Sequence, residues 1–491
     1  MNLTHPSPES RRSFVRKSAS LALSAASVSD WLFQATETAA YQAMGTRVGD
    51  VTDHSAIVWT RLTANKTRNN AGVVIPGRAQ NYKDGNLPEV KVPVEQLEGA
   101  CPGASGFVRL RYGTDAALVK AKTTDWASVA ESTDFIHQFS LNDLKPGTTY
   151  YYASESTAQK GKQPITTANG KFRTAPLPDS TREVRFCLMT CQGYPDRDHK
   201  DGHNIYPAMQ ALNPDFACLT GDLVYYDNDM PRAYTPRLAR YHWERMFSLP
   251  RLVEFNRHVG TYWLKDDHDT LDNDSSPGGT MGEFTFAEGQ RIFHQQAPMT
   301  AGLSYRTVRW GKDLQIWLTD GRDFRSDNDM PDGPDKTIWG NEQKAWFRKT
   351  VSESTATWKI LISPTPLVGP DRGKKNDNHA NTGFTHEGDE IRNWLKANVP
   401  DNFFVICGDR HWQYHSVHPK TGLHEFSIGP ASDEHASGSP GEDKAYHHFH
   451  LVKGGFMSVD VKRLGGKSQI TFHHHDVMGK IVYEWQTERS V

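Results

Sequence analysis

The chain has 491 residues, a formal net charge of -2 at pH 7 and five cysteines. This length predicts two domains, each large enough to bury a hydrophobic core. A charge this close to neutral gives no electrostatic reason to expect binding to nucleic acid or to an anionic membrane. An odd number of cysteines, three of them inside apolar runs, argues against a disulfide framework. The five are Cys101, Cys187, Cys191, Cys218 and Cys407.

The first forty residues resemble an export signal of the twin-arginine type. Arg11 and Arg12 precede a weakly apolar run, residues 18–29, that is too short and too polar to span a bilayer. Small residues that offer cleavage points follow at Ala35, Ala39 and Ala40. The alternative interpretation is a basic, disordered tail. The export interpretation predicts a periplasmic or extracellular protein without a transmembrane segment, which the twin-arginine (Tat) translocase carries in its folded state.

Residues 41–178 have the pattern of a small all-β domain. Runs rich in β-branched and aromatic residues, separated by turn signals, predict strands at 55–61, 107–112, 148–152 and 170–176. Residues 144–147, Leu-Lys-Pro-Gly, resemble the turn of a fibronectin-type sandwich. Residues 63–105 are rich in Gly, Pro and Asn and predict a surface loop. Because this domain shows no catalytic cluster, we expect it to serve packing or positioning.

The remainder of the chain is organised around a buried strand that ends in a carboxylate. Residues 215–220 are apolar and predict a strand of a parallel sheet, which stops at Gly221 and is followed by Asp222. Ligands and metals bind at this edge of α/β sheets. Tyr225 is close enough along the chain to share an ion with Asp222. The alternative is an N-capping Asp followed by a packed Tyr.

A second strand end is predicted beside the first. Residues 184–190 form an apolar run that ends at Cys191, and a probable helix at 205–212 separates it from the strand before Asp222. This is the pattern of one βαβ unit, which places Cys191 and Asp222 on neighbouring strands at the same sheet edge.

Four later apolar runs also end in polar residues, and three of the four end in charged ones. The runs are residues 257–264, 314–320, 358–364 and 403–407. The first runs into Asp266-Asp267-His268-Asp269, the second into Asp320, Arg322 and Arg325, and the last into Gly408-Asp409-Arg410-His411; the third ends at Ser363-Pro364. A solvated acidic turn is the alternative for the first of these. Carboxylate, imidazole and other polar side chains at the ends of these six predicted strands indicate a metal centre.

Taken together, these motifs resemble the PhoD-like (alkaline phosphatase D) branch of the calcineurin-like metallophosphoesterases. The matching elements are Thr190-Cys191-Gln192, Gly221-Asp222-x-x-Tyr225, Asp266-Asp267-His268-Asp269, Asp320-x-Arg322 and Gly408-Asp409-x-His411. The element around Tyr225 is also similar to purple acid phosphatases. The resemblance implies a four-layer αββα sandwich at 179–491, preceded by an all-β fibronectin-like domain at 41–178 and by the export signal at 1–40.

The resemblance also implies site roles. Cys191, Asp222, Tyr225 and His411 surround one metal, and Asp267 and Asp409 face a second metal that shares Asp222. His268 then lies near the leaving group, where an imidazole can donate a proton. Arg322 and Arg410 are candidates to hold phosphate oxygens. Weaker candidates for metal or substrate contacts are Asp269, Asn273, Ser363 and His379.

The ligand types suggest which metals bind. Thiolate, phenolate, carboxylate and imidazole donors suit Fe³⁺ at the first site. The usual metal-binding His at the fifth strand end is Ser363 here, so the second site has oxygen donors and favours Ca²⁺. Mn²⁺, Mg²⁺ and Zn²⁺ are the alternatives.

The sequence therefore predicts a secreted dinuclear-metal phosphoesterase that hydrolyses small or polymeric phosphate esters with a metal-activated hydroxide. Two alternatives stay open: a non-catalytic surface-binding protein on a degenerate phosphatase fold, and an esterase for a related anion such as sulfate. The sequence does not separate phosphomonoesters from phosphodiesters as substrates.

Two expectations concern the end of the chain. Residues 456–461 and 468–472 alternate cleanly and predict a closing hairpin on the second sheet, with no helical lid after it. We expect the histidines concentrated in this region to lie on the surface. They are His447, His448, His450, His473, His474 and His475.

Overall fold

A computed structural model describes residues 40–81, 88–302, 304–399 and 401–491. The expected export signal at 1–40 therefore lies outside the described residues, except for Ala40. Among the described residues, no helix combines the length and apolar character that a membrane crossing requires.

The strands of the first 178 residues are β1 (Thr46–Gly49), β2 (Ala56–Arg61), β3 (Gly106–Gly113), β4 (Lys122–Thr123), β5 (Ala127–Val129), β6 (Ile136–Leu141), β7 (Thr149–Thr157) and β8 (Thr166–Arg173). Those that follow, up to residue 318, are β9 (Val184–Met189), β10 (Phe216–Thr220), β11 (Gly260–Leu264), β12 (Thr280–Met281), β13 (Phe284–Thr285), β14 (Arg306–Trp310) and β15 (Leu314–Leu318). The remaining strands are β16 (Trp358–Ser363), β17 (Phe403–Cys407), β18 (Gln413–Val417), β19 (His424–Ile428), β20 (His447–Leu451), β21 (Phe456–Leu464), β22 (Lys467–His475) and β23 (Ile481–Ser490).

In the described part of the chain, the α-helices all follow β9. They are α1 (Ile205–Ala211), α2 (Pro236–Phe247), α3 (Pro250–Asn256), α4 (Phe286–Gln296), α5 (Gly340–Glu353) and α6 (Thr385–Asn398). The first of them confirms the helix predicted between the strands that end at Cys191 and Asp222. It makes β9 and β10 parallel neighbours, with Ala217 opposite Cys187.

Strands from both halves of the chain build one sheet of nine strands, in the order β23-β22-β21-β9-β10-β11-β1-β2-β6. β1 runs parallel to β11, with Val48 opposite Gly260, and β2 and β6 continue the sheet in antiparallel fashion. Strand pairing therefore crosses the boundary expected at residue 178. The other early strands form a separate five-stranded sheet, which packs on β1, β2 and β6 through a shared apolar core. The β-rich character of the N-terminal region is confirmed.

A seven-stranded sheet, in the order β14-β15-β16-β17-β19-β18-β20, stacks on the nine-stranded sheet. Apolar side chains of both sheets share one buried cluster, and the Phe216 and Trp310 rings stack across it with centroids 4.5 Å apart. Strands β15, β16, β17 and β19 are parallel to one another. Their near-continuous apolar sequences are typical of strands covered on both faces.

Helices cover the outer faces of both sheets. On the nine-stranded sheet, Met209, Trp243 and Ile292 from α1, α2 and α4 share a core with side chains of β9, β10 and β11. On the seven-stranded sheet, Phe347 of α5 and Ile391 of α6 pack with side chains of β15, β16 and β17. The amphipathic helices thus bury their apolar faces on strands that are themselves apolar on both faces.

The end of the chain corrects two expectations. The hairpin β21–β22 forms, but it pairs with β9 in the nine-stranded sheet, and β23 extends that sheet beyond it. The expectation that the late histidines lie on the surface is wrong for His447, which is 7% exposed, and for β22, where His473, His474 and His475 are 9%, 0% and 2% exposed. The reason is that β22 lies between two strands, and the Nε2 of His474 is 2.9 Å from the carbonyl oxygen of Ser427. The prediction about cysteines is confirmed, since all five are buried and free.

Candidate metal centre

The carboxyl ends of β9, β10, β11 and β17 bring the predicted ligands together. Cys191, Asp222 and Asp409 follow three of these strands, and all have left-handed backbone angles, with φ of 51°, 55° and 62°. For residues other than glycine, this conformation costs on the order of 1–3 kcal/mol each, and it is concentrated at functional sites. The fold thus uses strained turns to aim these side chains at one point.

The first cluster contains the ligands predicted for the first metal. The Sγ of Cys191 and the hydroxyl of Tyr225 lie 3.4 Å and 3.3 Å from the same Oδ2 of Asp222. Ligand atoms of Cys191, Asp222 and His411 all lie within 4.8 Å of one another. Their separations allow all of these atoms to contact one ion.

Asp222 also belongs to two further clusters. One contains Asp267 and His268, and the other contains Asp266 and Asp409, again with ligand atoms within 4.8 Å of one another. Asp266 is an addition to the predicted ligands: it was recognised in the acidic run but not assigned to a metal. The membership of Asp222 in all three groups gives it the position of a ligand shared between two sites.

Two buried carboxylate atoms at this point test whether the residues fit a metal. Oδ1 of Asp222 and Oδ2 of Asp266 are buried and have no hydrogen-bond partner. Buried carboxylate oxygens are normally paired, and an orphaned one is costly. A bound cation would pair both of them, so the residues present fit a metal centre.

The pKa values indicate an excess of negative charge. Burial, and after it the charge of Asp267, raises the pKa of Asp222 well above its usual range. Burial and the charge of Asp222 raise the pKa values of Cys191 and Tyr225 well above theirs. Burial also raises the pKa of Asp266 to about 6, in spite of its contact with Arg322. Cations bound here would offset this repulsion.

His268 is oriented by a carboxylate at the edge of the centre. Its Nδ1 lies 2.7 Å from Oδ1 of Asp227, and its ring packs on that of Tyr225 with centroids 4.4 Å apart. Burial disfavours the imidazolium, but Asp227, Asp267 and Asp222 outweigh it and raise the pKa of His268 well above its usual range. This arrangement provides an acid next to the metal ligands.

Comparison with known families identifies the protein at family level. The model described as PhoD-like phosphatase matches residues 186–454, more than half of the chain, and the model of the N-terminal domain of PhoD-like phosphatases matches residues 26–176. The chain belongs to the PhoD-like phosphatase family. No match to a curated protein sequence was found.

Solved structures support the same assignment at the level of the fold. The structure of PhoD superposes on this PhoD-like phosphatase with a TM-score of 0.67 at 17% identity, covering 92% of this chain and 90% of that one. Purple acid phosphatase PPD1 from yellow lupin (Lupinus luteus) seeds gives 0.60 at 12% identity, covering 92% and 75%. The chain therefore shares the fold of these two phosphatases, with a β-rich N-terminal region.

The two predicted arginines of this PhoD-like phosphatase are buried in contact with carboxylates. Arg322 donates from Nε to Oδ1 of Asp266 at 2.6 Å, and its NH2 lies 3.6 Å from Oδ2 of Asp267. Arg410 donates from NH1 to both oxygens of Asp371 at 2.7 Å and also contacts the carboxylate of Asp409. In this arrangement both guanidinium groups hold candidate ligands in place.

The four weaker candidates lie around the centre with other partners. Asp269 accepts hydrogen bonds from the backbone N–H groups of Leu223 and Asp266, at 3.0 Å and 2.6 Å. Ser363 donates to the carbonyl oxygen of Thr365 at 2.7 Å. Among the described residues, Asp269 belongs to none of the groups of His, Cys, Asp and Glu with metal-ligand spacing.

His379 likewise lies outside those groups, as far as the structure describes the chain. The Nε2 of His379 is 2.9 Å from Oε2 of Glu387, in the first turn of α6. Asn273 is exposed, and its backbone N–H donates to Asp227 at 3.1 Å.

Sequence reasoning missed His435. Its Nε2 lies 3.0 Å from the hydroxyl of Tyr225 and 3.2 Å from Nε2 of His411, and its Nδ1 lies 2.6 Å from Oδ2 of Asp196. A signal was available, since His435 follows β19, which runs parallel to β17. The six residues between the end of β19 and His435 hide that relation in the sequence.

Proposed function

We propose that the protein is a secreted dinuclear-metal phosphoesterase of the PhoD-like type. The observation that carries this proposal is the position of Asp222, which belongs to all three ligand groups and has a buried oxygen without a partner. A non-catalytic binding protein would have no use for a costly carboxylate cluster of this kind. Under the same proposal, the two stacked sheets and their covering helices form a four-layer αββα sandwich.

The donor sets support different metals at the two sites. Cys191, Asp222, Tyr225 and His411 would hold Fe³⁺, because thiolate and phenolate donors suit that ion. Asp222, Asp267 and Asp409, together with Asp266, would hold Ca²⁺, which prefers carboxylate oxygens. When bound, such ions supply positive charge beside the phosphoryl oxygens and lower the pKa of a water molecule.

The side chains of the protein carry out the remaining steps. His268, oriented by Asp227, donates a proton to the oxygen of the leaving group. The sequence makes Arg322 and Arg410 candidates to hold phosphate oxygens. Through their ion pairs, the two arginines also keep the carboxylates of Asp266 and Asp409 in position. Burial of these pairs makes the site rigid before substrate binds.

A substrate screen combined with metal analysis tests the proposal. Protein purified without metal-affinity resin is assayed on p-nitrophenyl phosphate, bis-p-nitrophenyl phosphate and p-nitrophenyl sulfate. We expect turnover of a phosphate ester, iron that resists mild chelation, and a second ion that EGTA removes and calcium restores. A tyrosinate–iron bond should also colour the protein.

Asp222→Asn is the control for dependence on the shared carboxylate, and it should abolish both turnover and metal retention. Absence of turnover on every phosphate ester would contradict the proposed function. Two equivalents of zinc in a colourless, fully active protein would contradict the metal assignment alone.

Export is tested separately. Replacing Arg11 and Arg12 by Lys should trap active protein in the cytoplasm, because the paired arginines are the recognition feature of the twin-arginine signal. Cell fractionation measures the distribution of activity. Unchanged activity outside the cytoplasm would rule out this route.

A further inference from the structure

A loop of the N-terminal region is fixed against the metal centre by backbone hydrogen bonds. The N–H of Ala79 donates to the carbonyl oxygen of Asn228 at 2.7 Å, and the N–H of Met230 donates to that of Gly77 at 3.3 Å. These bonds place Arg78 opposite Asp229 in an isolated antiparallel bridge. The loop was expected to lie on the surface, but this part of it pairs with the segment that follows Tyr225.

The side chain of Arg78 points from this bridge towards the centre. It forms an ion pair with Asp196, and its NH2 lies 2.6 Å from Nδ1 of His435. Its Cζ lies 5.9 Å from the centroid of the Tyr225 ring. The side chain is only 16% exposed, so the guanidinium is held in place and does not move freely in solvent.

The side chains of Arg78, Asp196 and His435 converge at Gly193, two residues after Cys191. A Cβ at this position would lie 2.5 Å from Oδ2 of Asp196, 2.6 Å from NH2 of Arg78 and 2.9 Å from Nδ1 of His435. All three distances are shorter than a carbon atom tolerates, so a side chain at this position would displace the ends of these three side chains. The arrangement is therefore a built feature of the site.

His435 connects this corner to the ligands. Its Nδ1 faces Asp196 and Arg78, whereas its Nε2 faces Tyr225 and His411. The imidazole side chain is fully buried. Its orientation is thus fixed on one edge by a charged pair and on the other by two candidate metal ligands.

We propose that Arg78 is a positioning residue that acts through His435, so that the N-terminal region supplies part of the active site. The inference rests on the proposed function and extends it to a segment with no assigned role. Because an outer partner of this kind orients a side chain next to the ligands, its loss reduces activity or metal affinity by about 10–100-fold in comparable sites. We expect the loss to fall on kcat rather than on KM, since Arg78 orients His435 and does not bind the substrate.

A double-mutant cycle tests this. Arg78→Gln, His435→Gln and the double variant are compared with Lys91→Gln, which removes a positive charge at an exposed position of the same loop. If Arg78 acts through His435, the double variant should have the kcat of His435→Gln alone. Iron release under chelation provides a readout besides activity, and it should be faster in Arg78→Gln than in Lys91→Gln.

The outcomes separate the inference from the function it rests on. A wild-type protein that hydrolyses no phosphate ester would overturn both. Wild-type turnover with additive effects in the double variant, or with Arg78→Gln equal to Lys91→Gln in kcat and iron release, would overturn the positioning role alone. If Arg78→Gln fails to fold in a melting experiment, Arg78→Lys keeps the charge but not the planar contact of the guanidinium with His435, and it must still lower kcat relative to Lys91→Gln.

Discussion

His268 shows how single contacts define a role at the residue scale. One nitrogen of its ring is occupied by Asp227, at 2.7 Å, so the tautomer and the orientation of the ring are set from outside the centre. Asp227, ahead of Asp267 and Asp222, raises the pKa of His268 against the effect of burial, and its contribution would remain with cations bound to the other two carboxylates. An imidazolium that is oriented and lies beside the ligands is suited to protonate a departing alkoxide.

This assignment predicts a result that depends on the leaving group. His268→Ala should lower kcat for an alkyl phosphate ester by about 10²–10⁴-fold, because the alkoxide needs a proton. The loss should be much smaller for a nitrophenyl ester, whose leaving group needs little protonation. The matched control is His386→Ala at an exposed position. Metal content is measured in parallel, and a fall in metal as large as the fall in rate would make His268 a ligand instead.

The sequence was sufficient to predict residues whose role follows from their position after a strand. Cys191, Asp222 and His411 were expected at one point, and the structure brings them together. It was not sufficient for residues whose role follows from contacts made in the folded state. His435 and Arg78 are of this second kind, since they are far apart in the chain and meet only at the corner around Gly193.

At the scale of elements, the two sheets meet where their parallel strands end. Gly408, after β17, donates its N–H to the carbonyl oxygen of Ser363 at 3.1 Å. A Cβ at this position would lie 2.5 Å from the carbonyl oxygen of Thr220 and 2.9 Å from that of Pro364. Ends of strands from both sheets therefore approach each other at a point where no side chain fits.

Gly408→Ala should consequently disturb both stability and the metal centre. Forcing a methyl group into close-packed structure costs typically about 1–3 kcal/mol. Because backbone atoms cannot move independently, we expect Asp409 to shift and metal affinity to fall. Gly373→Ala, where a Cβ meets no atom within 4 Å, is the control. Equal melting temperatures and equal calcium affinities for the two variants would contradict this view of the junction.

Helix α6 provides a prediction about pH. Burial alone would raise the pKa of Glu387, but hydrogen bonds from His379, Thr337 and the backbone of Ile338 lower it to about 2. A carboxylate with a depressed pKa stabilises the fold above its unfolded-state value, near 4.3, and loses this contribution as the pH falls towards 2. For a group this buried, the full contribution is about 3 kcal/mol.

Glu387→Gln should therefore be less stable than the wild type at neutral pH, and the difference should shrink as the pH falls from about 4 to about 2. Urea unfolding at a series of pH values measures this difference in the free energy of unfolding. Glu353→Gln, at the exposed end of α5, is the control. A difference between wild type and Glu387→Gln that stays constant with pH would show that the carboxylate charge is not the stabilising feature.

The elements themselves were well predicted because their apolar runs are long and uninterrupted. The strands before Cys191, Asp222 and Asp409 all form close to the expected positions. Pairing between distant segments was harder to predict. No local feature of the sequence distinguishes a hairpin that pairs with β9 from one that pairs with the other sheet. For this reason the predicted position of the hairpin β21–β22 was wrong.

For the whole molecule, the decisive feature is a sheet shared by both halves of the chain. β1 lies next to β11, and β2 and β6 continue the sheet to its edge. A cation–π contact strengthens the junction, with Cζ of Arg47 3.9 Å from the centroid of Trp59 and 4.4 Å from that of Phe247 in α2. The N-terminal region thus shares a sheet with the phosphatase region, and we expect the two regions to unfold together.

Arg61 provides a test of this coupling, because it lies in the N-terminal region and contacts α2. Its NH2 is 3.1 Å from Oδ1 of Asp134 and 3.3 Å from Oε1 of Glu244, and all three side chains are buried. Arg61→Gln removes the buried cation that Asp134 and Glu244 share. Because Arg237 still contacts Glu244 at 2.9 Å and Arg240 lies 3.9 Å from Asp134, the loss should be near the lower end for a broken buried pair, about 3 kcal/mol. The control is Arg109→Gln, which breaks an ion pair with Glu155 that lies within the N-terminal region. Because the arginine side chain is 30% exposed, this loss should cost at most about 1 kcal/mol.

Calorimetry should show one unfolding transition for the wild type and for both variants, with the larger shift in melting temperature in Arg61→Gln. Two separate transitions, with only the lower one moved by Arg61→Gln, would show that the two regions unfold independently and would contradict a single folding unit.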